Sequence, residues 1–380
     1  MQQPEKILPF CWCLFFISLM KEGMKIKEIE STTHEKVLLC EDPQSGLEAI
    51  IAIHNTRLGN SLGGCRMYPY SSREEALNDV LKLSESMTYK AAIAGLNVGG
   101  GKAVIIGHPK NKTPELLRSF GRFVHDLQGE YVTAEDVGTS VNDMTYIAEE
   151  TPFVCGMGNT ENSLGDPSPY TAYGVLQGIR AAVSHKMNRD SLQGIRVSVL
   201  GIGHVGYHLC HMLLKEGAQL FIADIVQEKI TRFIEEAKKT YSQDVSIQAK
   251  TVDELIALDV DVFSPCAMGG ILNESTVKKL QAKIVAGAAN NQLASNSIDQ
   301  LLFDKGILYA PDYVINGGGL ISVHQEYFNQ NVEPNSIFNY VKTIYSSLMN
   351  IFELSQQQQK PTAQIANALA ESRFSRESVS

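Results

Sequence analysis

Two lysines, Lys90 and Lys102, frame a stretch that carries no other charge: Ala91 to Val98, apolar apart from Asn97, followed by Gly99-Gly100-Gly101. The composition of that run sets both ammonium groups beside a partly buried, narrow space. A buried lysine is costly unless something uses it. Three consecutive glycines cost backbone entropy and are kept most easily where a ligand or another backbone approaches closely. A P-loop fails on spacing, because Leu96 stands five residues before Gly101 and Ala103 stands where Ser or Thr would hold magnesium. Carboxylates come from Glu135 and Asp136, which close the strand-like run Tyr131 to Ala134. A strand's end is a common place for chemistry. Asp136 also reads as a helix cap ahead of Val141 to Glu150.

A second constellation begins at Ile195 to Leu200, a buried-strand run feeding into Gly201-Ile202-Gly203-His204-Val205-Gly206. A helix from Tyr207 to Glu216 follows, then a strand from Gln219 that closes in Asp224, 18 residues after Gly206. A lone G-x-G-x-x-G is weak; between a strand and a helix, with an acid closing the next strand, it reads as a dinucleotide site. The glycines bring backbone amides to a pyrophosphate at a helix N-terminus. Asp224 takes the adenosine ribose and repels a 2′-phosphate, which favours NAD over NADP. The plain alternative is a strand-to-helix turn with no ligand.

The elements that position these groups form a regular series. Val37 to Cys40 and Leu47 to His54 read as strands, and a turn-rich stretch from Asn55 to Gly64 leads to Arg66-Met67-Tyr68. Ser72 with Glu75 makes a capping box for a helix through Met87 that delivers Lys90, and Thr113-Pro114 opens another through Leu127. Val104 to Gly107 is a short strand. In the second half, strands at 260–263, 282–286 and 307–310 end in loops 264–270, 287–292 and 311–319. A doubly wound parallel sheet gathers such loops above the cofactor, including Cys266, Ala267, Asn290, Asn291 and Asn316. Those asparagines read equally well as turn formers. After Gly319 a long amphipathic helix carries Ile337, Phe338, Val341, Ile344, Tyr345, Leu348 and Phe352, and Pro361-Thr362 restarts a final one.

With 380 residues, 44 % hydrophobic and 20 % charged, the chain is globular, with two domains expected. A net charge of -9 without a basic cluster argues against nucleic acid. Seven cysteines with no zinc-type spacing read as reduced thiols of a cytoplasmic protein. Ile7 to Met20 is almost wholly apolar, too short to span a membrane comfortably and without a small-x-small cleavage site after it. Translation is therefore expected to begin at Met24, with export or membrane attachment as the alternatives.

Several segments together carry a family resemblance: Leu62 to Met67, Met87 to Lys90, Gly99 to Lys102, Ala134 to Asp143, Asp166 to Pro169 with Thr171-Ala172, Gly287 to Asn291 and Ala310 to Gly319. From about Met24 onward the chain resembles the leucine, phenylalanine and valine branch of the glutamate dehydrogenase superfamily. The resemblance implies an α/β fold of two domains. An amino-terminal α/β substrate domain (24–155) would precede a Rossmann-type doubly wound NAD-binding domain (156–330). C-terminal helices (331–380) would pack back on the first domain, and residues 1–23 would be an extension. It implies that Lys90 holds the substrate carboxylate, that Lys102 is the base and that Asp136 shuttles a proton at the amine. Ser168 and Thr171 would join Gly201, Gly203, His204, Val205, Gly206, Asp224, Cys266, Ala267, Asn290 and Asn316 around NAD. A homo-oligomer, often an octamer in the family, is expected. The pattern departs at His204, at Glu161 to Leu164 and at Gly317, where alanine is usual.

Independent chemistry agrees. Oxidising an amino acid's alpha carbon gives an iminium to which water must add, and that water needs a base near neutrality. Bringing a lysine from about 10.4 to about 7 or 8 takes a shift of roughly three units, about 4 kcal/mol, which burial and the Lys90 ammonium favour. The glutamate enzymes use a lysine and a serine where this chain has Leu62 and Val323, so a side-chain carboxylate is disfavoured. Gly63, Gly64, Met87, Ala134, Asn291 and Leu320 complete the expected pocket. Ala134 resembles the branched-chain enzymes and Leu320 the phenylalanine enzymes. The expected activity is reversible NAD-dependent conversion of leucine, valine or isoleucine to the 2-oxo acid and ammonia. Phenylalanine is the alternative, and a sensor without turnover a remote one.

Overall fold

The computed structural model of the chain describes residues 23–157, 165–241, 245–267, 269–329 and 333–375. All but the last residue of the expected extension 1–23 and the Glu161 to Leu164 departure lie outside them. Strands β1 (Lys25–Glu28), β2 (Lys36–Asp42), β3 (Leu47–Asn55), β4 (Ser61–Tyr68), β5 (Gly99–Ile106) and β6 (Tyr131–Glu135) form one sheet in the order β1-β2-β3-β5-β4-β6. β1, β2, β3 and β5 pair antiparallel in turn, and β4 runs parallel between β5 and β6. Strands β7 (Arg196–Leu200), β8 (Gln219–Ala223), β9 (Ile247–Ala249), β10 (Val262–Pro265), β11 (Ile284–Val285) and β12 (Leu308–Tyr309) form a second sheet in the order β12-β11-β10-β7-β8-β9. All its pairs are parallel, with the order reversing beside β7, as in a doubly wound nucleotide-binding fold.

The helices in chain order are α1 (Arg73–Ile93), α2 (Pro114–Asp126), α3 (Val141–Ala148), α4 (Ser168–Met187), α5 (His204–Lys215), α6 (Gln227–Thr240) and α7 (Val252–Ile256). They continue with α8 (Glu274–Lys279), α9 (Ser297–Asp304), α10 (Asp312–Ile315), α11 (Gly318–Phe328), α12 (Pro334–Val341), α13 (Thr343–Gln358) and α14 (Thr362–Phe374). Helix α2 shows why such segments fold: Thr113 caps it, Pro114 opens it, and Leu116, Phe120, Phe123 and Val124 bury one face against the first sheet. Helix α1 covers the sheet's other face, with Ala76 and Val80 against Val37, Leu39 and Ile50. The last helix reaches back to that element: the Tyr89 hydroxyl donates to Glu371 at 2.8 Å and Arg373 donates to the Ala92 carbonyl. Among the described residues no helix is long and apolar enough to cross a membrane.

Several sequence expectations are corrected. The stretch expected to be turns up to Gly64 is strand from Ser61, and β5 begins on the glycine run at Gly99 rather than at Val104. Both strands are buried on two faces and rich in glycine, so neither shows alternation. The capping box at Ser72 is half formed: Ser72 accepts from the Glu75 amide, but the Glu75 carboxylate accepts from Ser71. Ser140, not Asp136, caps α3. Helix α5 starts at His204, three residues earlier than expected, which puts Val205 and Gly206 in its first turn. The single long helix after Gly319 is three, because Pro334 opens α12 and the chain breaks again at Lys342.

The glycines of β4 and β5 are a packing requirement. A Cβ on Gly63 would overlap the Gly101 carbonyl oxygen, and one on Gly64 would meet the Asp136 side chain at 2.9 Å. Gly63→Ala is therefore expected to cost at least about 3 kcal/mol in denaturant unfolding, at the top of the usual range for overpacking, because the clash is with backbone. Gly203→Ala, with open space around the new methyl group, is expected to cost at most about 1 kcal/mol in the same measurement.

Candidate active site

Strand register explains how the charged groups meet. Gly64 of β4 stands opposite Ala134 of β6, and because Leu62 pairs with Gly100 and Cys65 with Ala103, Lys102 of β5 flanks Gly64 on the other side. Asp136 follows Ala134 by two residues, so the period of a strand returns it to the same face. With only glycine between them, the Lys102 ammonium reaches Asp136 at 2.8 Å. Lys102 is 7 % exposed. The expectation for Lys102 weighed burial and Lys90 but not this ion pair. Burial works to raise the Asp136 carboxyl; the Lys102 ammonium and then the Arg66 guanidinium outweigh it and hold it down to about 2.

Lys90 stands on the last turn of α1 and crosses to the second half of the chain, where its ammonium donates to Asn290 Oδ1 at 3.3 Å. Burial pulls its titration down to about 8, opposed by the Asp312 carboxylate and assisted by Lys102. Asn316 Nδ2 donates to Asn290 Oδ1 at 2.7 Å and to the Ala288 carbonyl at 3.1 Å, while Asn316 Oδ1 is buried with no partner among the described residues. Asn291 takes the left-handed conformation at φ +50°, so the turn-forming reading holds for its backbone while its side chain faces the same cleft.

These groups line one cleft of about 560 Å³ between the two sheets. The first sheet contributes Leu62, Gly63, Gly64, Lys102 and Ala134, with Asp136 just past β6; α1 adds Met87 and Lys90. The second half brings Ser168 and Thr171 from α4, Val205 from α5, the three asparagines, and Leu320 and Val323 from α11. Leu62, Met87, Ala134, Leu320 and Val323 make its apolar wall. Gly201, Gly203, His204, Gly206, Asp224, Cys266 and Ala267 do not line that cleft. Gly201, Gly203, His204 and Gly206 form the adjoining strand-to-helix turn, with Asp224 just past β8 and Cys266 and Ala267 just past β10, and Gly203 and His204 open into a depression of about 420 Å³.

That turn has the features a pyrophosphate needs. Gly201 sits at φ +103° against Ala267, and a Cβ on Gly206 would strike the Gly201 carbonyl. No side chain caps α5, and nothing lies within 4 Å of where a Gly203 methyl would be, so the first amides of the helix face open space. Asp224 stands at the end of β8, its carboxylate accepting from the amides of Ile202 at 2.7 Å and Val226 at 2.9 Å. The site also contains groups that the sequence reading did not assign. Arg66, Glu135 and Glu326 line the cleft, and half-buried Asp312, pushed up by desolvation and opposed by hydrogen-bonding amides and by Lys90, stands behind Lys90. Arg66 and Asp312 lie inside the quoted motifs; nothing local distinguishes Glu326 from other residues of a helix. Among the described residues no cluster of His, Cys, Asp and Glu could hold a metal ion.

The sequence matches two family models: "Glu/Leu/Phe/Val dehydrogenase, dimerisation domain" over residues 34–153 and "Glutamate/Leucine/Phenylalanine/Valine dehydrogenase" over residues 165–378. It is 46 % identical to leucine dehydrogenase of Geobacillus stearothermophilus, with 92 % of each chain covered. It is 45 % identical to phenylalanine dehydrogenase of Caldalkalibacillus thermarum, covering 90 % of this chain and 91 % of that one. The crystal structure of L-tryptophan dehydrogenase from Nostoc punctiforme superposes with a TM-score of 0.77 at 44 % identity, over 90 % of this chain and 96 % of that one. Two matched models in tandem and relatives spanning nearly the full length establish that the chain belongs to the glutamate/leucine/phenylalanine/valine dehydrogenase family and is an amino-acid dehydrogenase.

Proposed function

We propose that the chain catalyses the reversible NAD-dependent oxidative deamination of an apolar L-amino acid, leucine with valine and isoleucine, to the 2-oxo acid and ammonia. The observation that carries this reading is the Lys102 and Asp136 pair sharing one cleft with Lys90 and an apolar wall. Lys90 attracts the substrate carboxylate, exchanging Asn290 for it, a role supported by the weak 3.3 Å contact with that neutral partner. Lys102 accepts the proton of the water that adds to the iminium carbon. Asp136 carries a proton at the amine, so that the carbon–nitrogen bond breaks with ammonia as the leaving group. NAD, when bound, supplies the two-electron acceptor. Gly201 to Gly206 and the free amides of α5 would hold its pyrophosphate and Asp224 its ribose. The orphaned Asn316 Oδ1 could accept from its carboxamide. The Asp224 carboxylate disfavours the extra phosphate of NADP.

The wall sets the substrate class. Leu62 and Val323 offer a side-chain carboxylate no donor, and the charged groups nearby are engaged: Arg66 with Asp136 and Asp79, and Glu326 with the Gly156 amide at 3.2 Å. Phenylalanine is the second reading, supported by Leu320 and by relatives named for aromatic amino acids at similar identity. The matched dimerisation domain supports a homo-oligomer, an octamer being the form expected, and the reading of the cysteines as reduced thiols supports action in the cytoplasm.

The test is NADH formation by the purified protein with leucine, valine, isoleucine, phenylalanine, tryptophan and glutamate in turn, and NADP in place of NAD as a control. Leucine-type substrates with NAD are expected to lead; turnover of glutamate or dependence on NADP would overturn the proposal. Lys102→Ala is expected to lower kcat by about 10³-fold while NAD still binds, the scale of a lost general base. Lys90→Ala is expected to raise KM by roughly 10- to 100-fold with a smaller change in kcat, since it removes a charged hydrogen bond to the substrate. Acid stability follows from Asp136, whose folded value of about 2 lies below the ordinary 3.8. The unfolded chain binds that proton more readily, so the contribution is complete above 3.8 and is lost as pH falls towards 2. On the order of 2 kcal/mol rides on it, read as a slope in denaturant midpoints that Asp136→Asn should flatten.

A further inference from the structure

The ion pair at the centre of the cleft has a third member that the proposed chemistry does not use. Arg66 extends from β4 with its guanidinium between two carboxylates, Nε donating to Asp136 Oδ2 at 3.3 Å and Nη1 to Asp79 Oδ2 at 2.9 Å. Asp79, on the outer part of α1, accepts at the same oxygen from the Tyr70 hydroxyl at 2.5 Å. The guanidinium is therefore fixed at both ends, on one side by the reactive carboxylate and on the other by an anchor reaching towards solvent. Asp136 Oδ2 receives both Lys102 and Arg66, and no described side chain donates to its other oxygen. The carboxylate also accepts from the Val137 amide, and with both cations on one oxygen its other oxygen is the one no side chain occupies, open to a proton at the substrate amine. A planar, permanently charged fork can bridge two carboxylates in this way; a lysine ammonium on its flexible stem reaches one or the other.

We propose that Arg66 is a positioning residue for the proton transfers. Clamped by Asp79 and Tyr70, it holds Asp136 in place and ionised, and it sets the pH range over which the Lys102 and Asp136 pair can accept a proton. The inference rests on the catalytic reading of that pair. The other titratable groups around the pair are Lys90 from α1, Glu135 beside it on β6, and the Cys65 thiol and Tyr131 phenol, both pushed up by burial and so uncharged. Arg66 is the cation whose charge no pH change in the working range removes. Taking it away leaves a pair that binds a proton more readily, and the titration belongs to the pair as a unit.

The test does not depend on turnover. Acylation of Lys102 by an amine-reactive reagent, localised by peptide mass, is followed against pH in the wild-type protein, Arg66→Gln and Arg66→Lys. The midpoint is expected to rise by about one pH unit or more in Arg66→Gln, the usual effect of losing a charge at this range, and by less in Arg66→Lys. The acid limb of kcat/KM should move by the same amounts. Superimposable midpoints would overturn the proposal, including the case in which Arg66→Gln melts at a lower temperature but titrates as wild type, which would make Arg66 a strut alone. Should Arg66→Gln not fold, Arg66→Lys decides by the same comparison. A wild-type protein that oxidises no amino acid would refute the catalytic reading, while the labelling profiles would still show whether Arg66 governs the pair.

Discussion

A lysine ammonium and an aspartate carboxylate 2.8 Å apart, mostly withdrawn from water, form the contact on which the rest of the molecule depends. Removing two charges from solvent carries a penalty that their attraction offsets only when geometry and further hydrogen bonds are good. Arg66 supplies the further donor, and the sheet supplies the geometry. The central position of β4 requires its residues at 63 and 64 to have no side chain, since any Cβ there would strike the Gly101 carbonyl or the Asp136 side chain. Gly63 and Gly64, expected in the pocket, are thus first a requirement of the protein's own backbone. They open the floor of the cleft as a consequence.

The second sheet contributes differently. Its glycine turn leaves backbone amides exposed at the start of α5, while its later loops carry neutral amides towards Lys90. Asn290, itself held by Asn316 Nδ2, gives Lys90 a neutral partner, which on the proposed reading a substrate carboxylate would displace. A permanent carboxylate in hydrogen-bond contact would hold the ammonium more strongly and would have to be displaced in each cycle. Asp312 stabilises the Lys90 charge through space while its own oxygens accept from the amides of Gln292 and Tyr313. Helix α14 connects the halves physically, running from the Asp299 carboxylate, which accepts from its first amides, to Tyr89 and Ala92 at the end of α1. Lys90 therefore stands on a helix end that is held from both sides of the cleft.

How much of this was legible in the sequence depended on how local the physics was. The glycine turn before α5, the acid at the end of β8 and the Pro114 helix start are set by a few consecutive residues, and each could be read directly. The extent of β4 and β5 could not, because strands buried on both faces and built of glycine carry no period. β1 and β9 were missed for the opposite reason: both are short edge strands that bury almost nothing. The partnership of Lys102, Asp136 and Arg66 depends on β4 lying between β5 and β6, an order that chain sequence does not dictate. The resemblance named two of the three because they sit in recognisable motifs. Arg66 sits in one as well, but its function shows only when its two carboxylate partners are known.

On the proposed reading, selectivity would follow from the division of the cleft into a charged end and an apolar wall. The charged end would then act on atoms that every alpha-amino acid shares, so it could remain the same while substrates change. The wall acts on the side chain, where one methylene is worth only about 1 to 3 kcal/mol. By the same reading a charged side chain would be disfavoured much more strongly, because burying a carboxylate without a donor costs more than any methylene contributes. Relatives named for leucine, phenylalanine and tryptophan at nearly equal identity fit that asymmetry. Exchanging one apolar substrate for another needs a few changes in wall residues such as Ala134 or Leu320. Admitting glutamate would need a cation built into the wall, and the arginine nearest to it is already committed to Asp136 and Asp79.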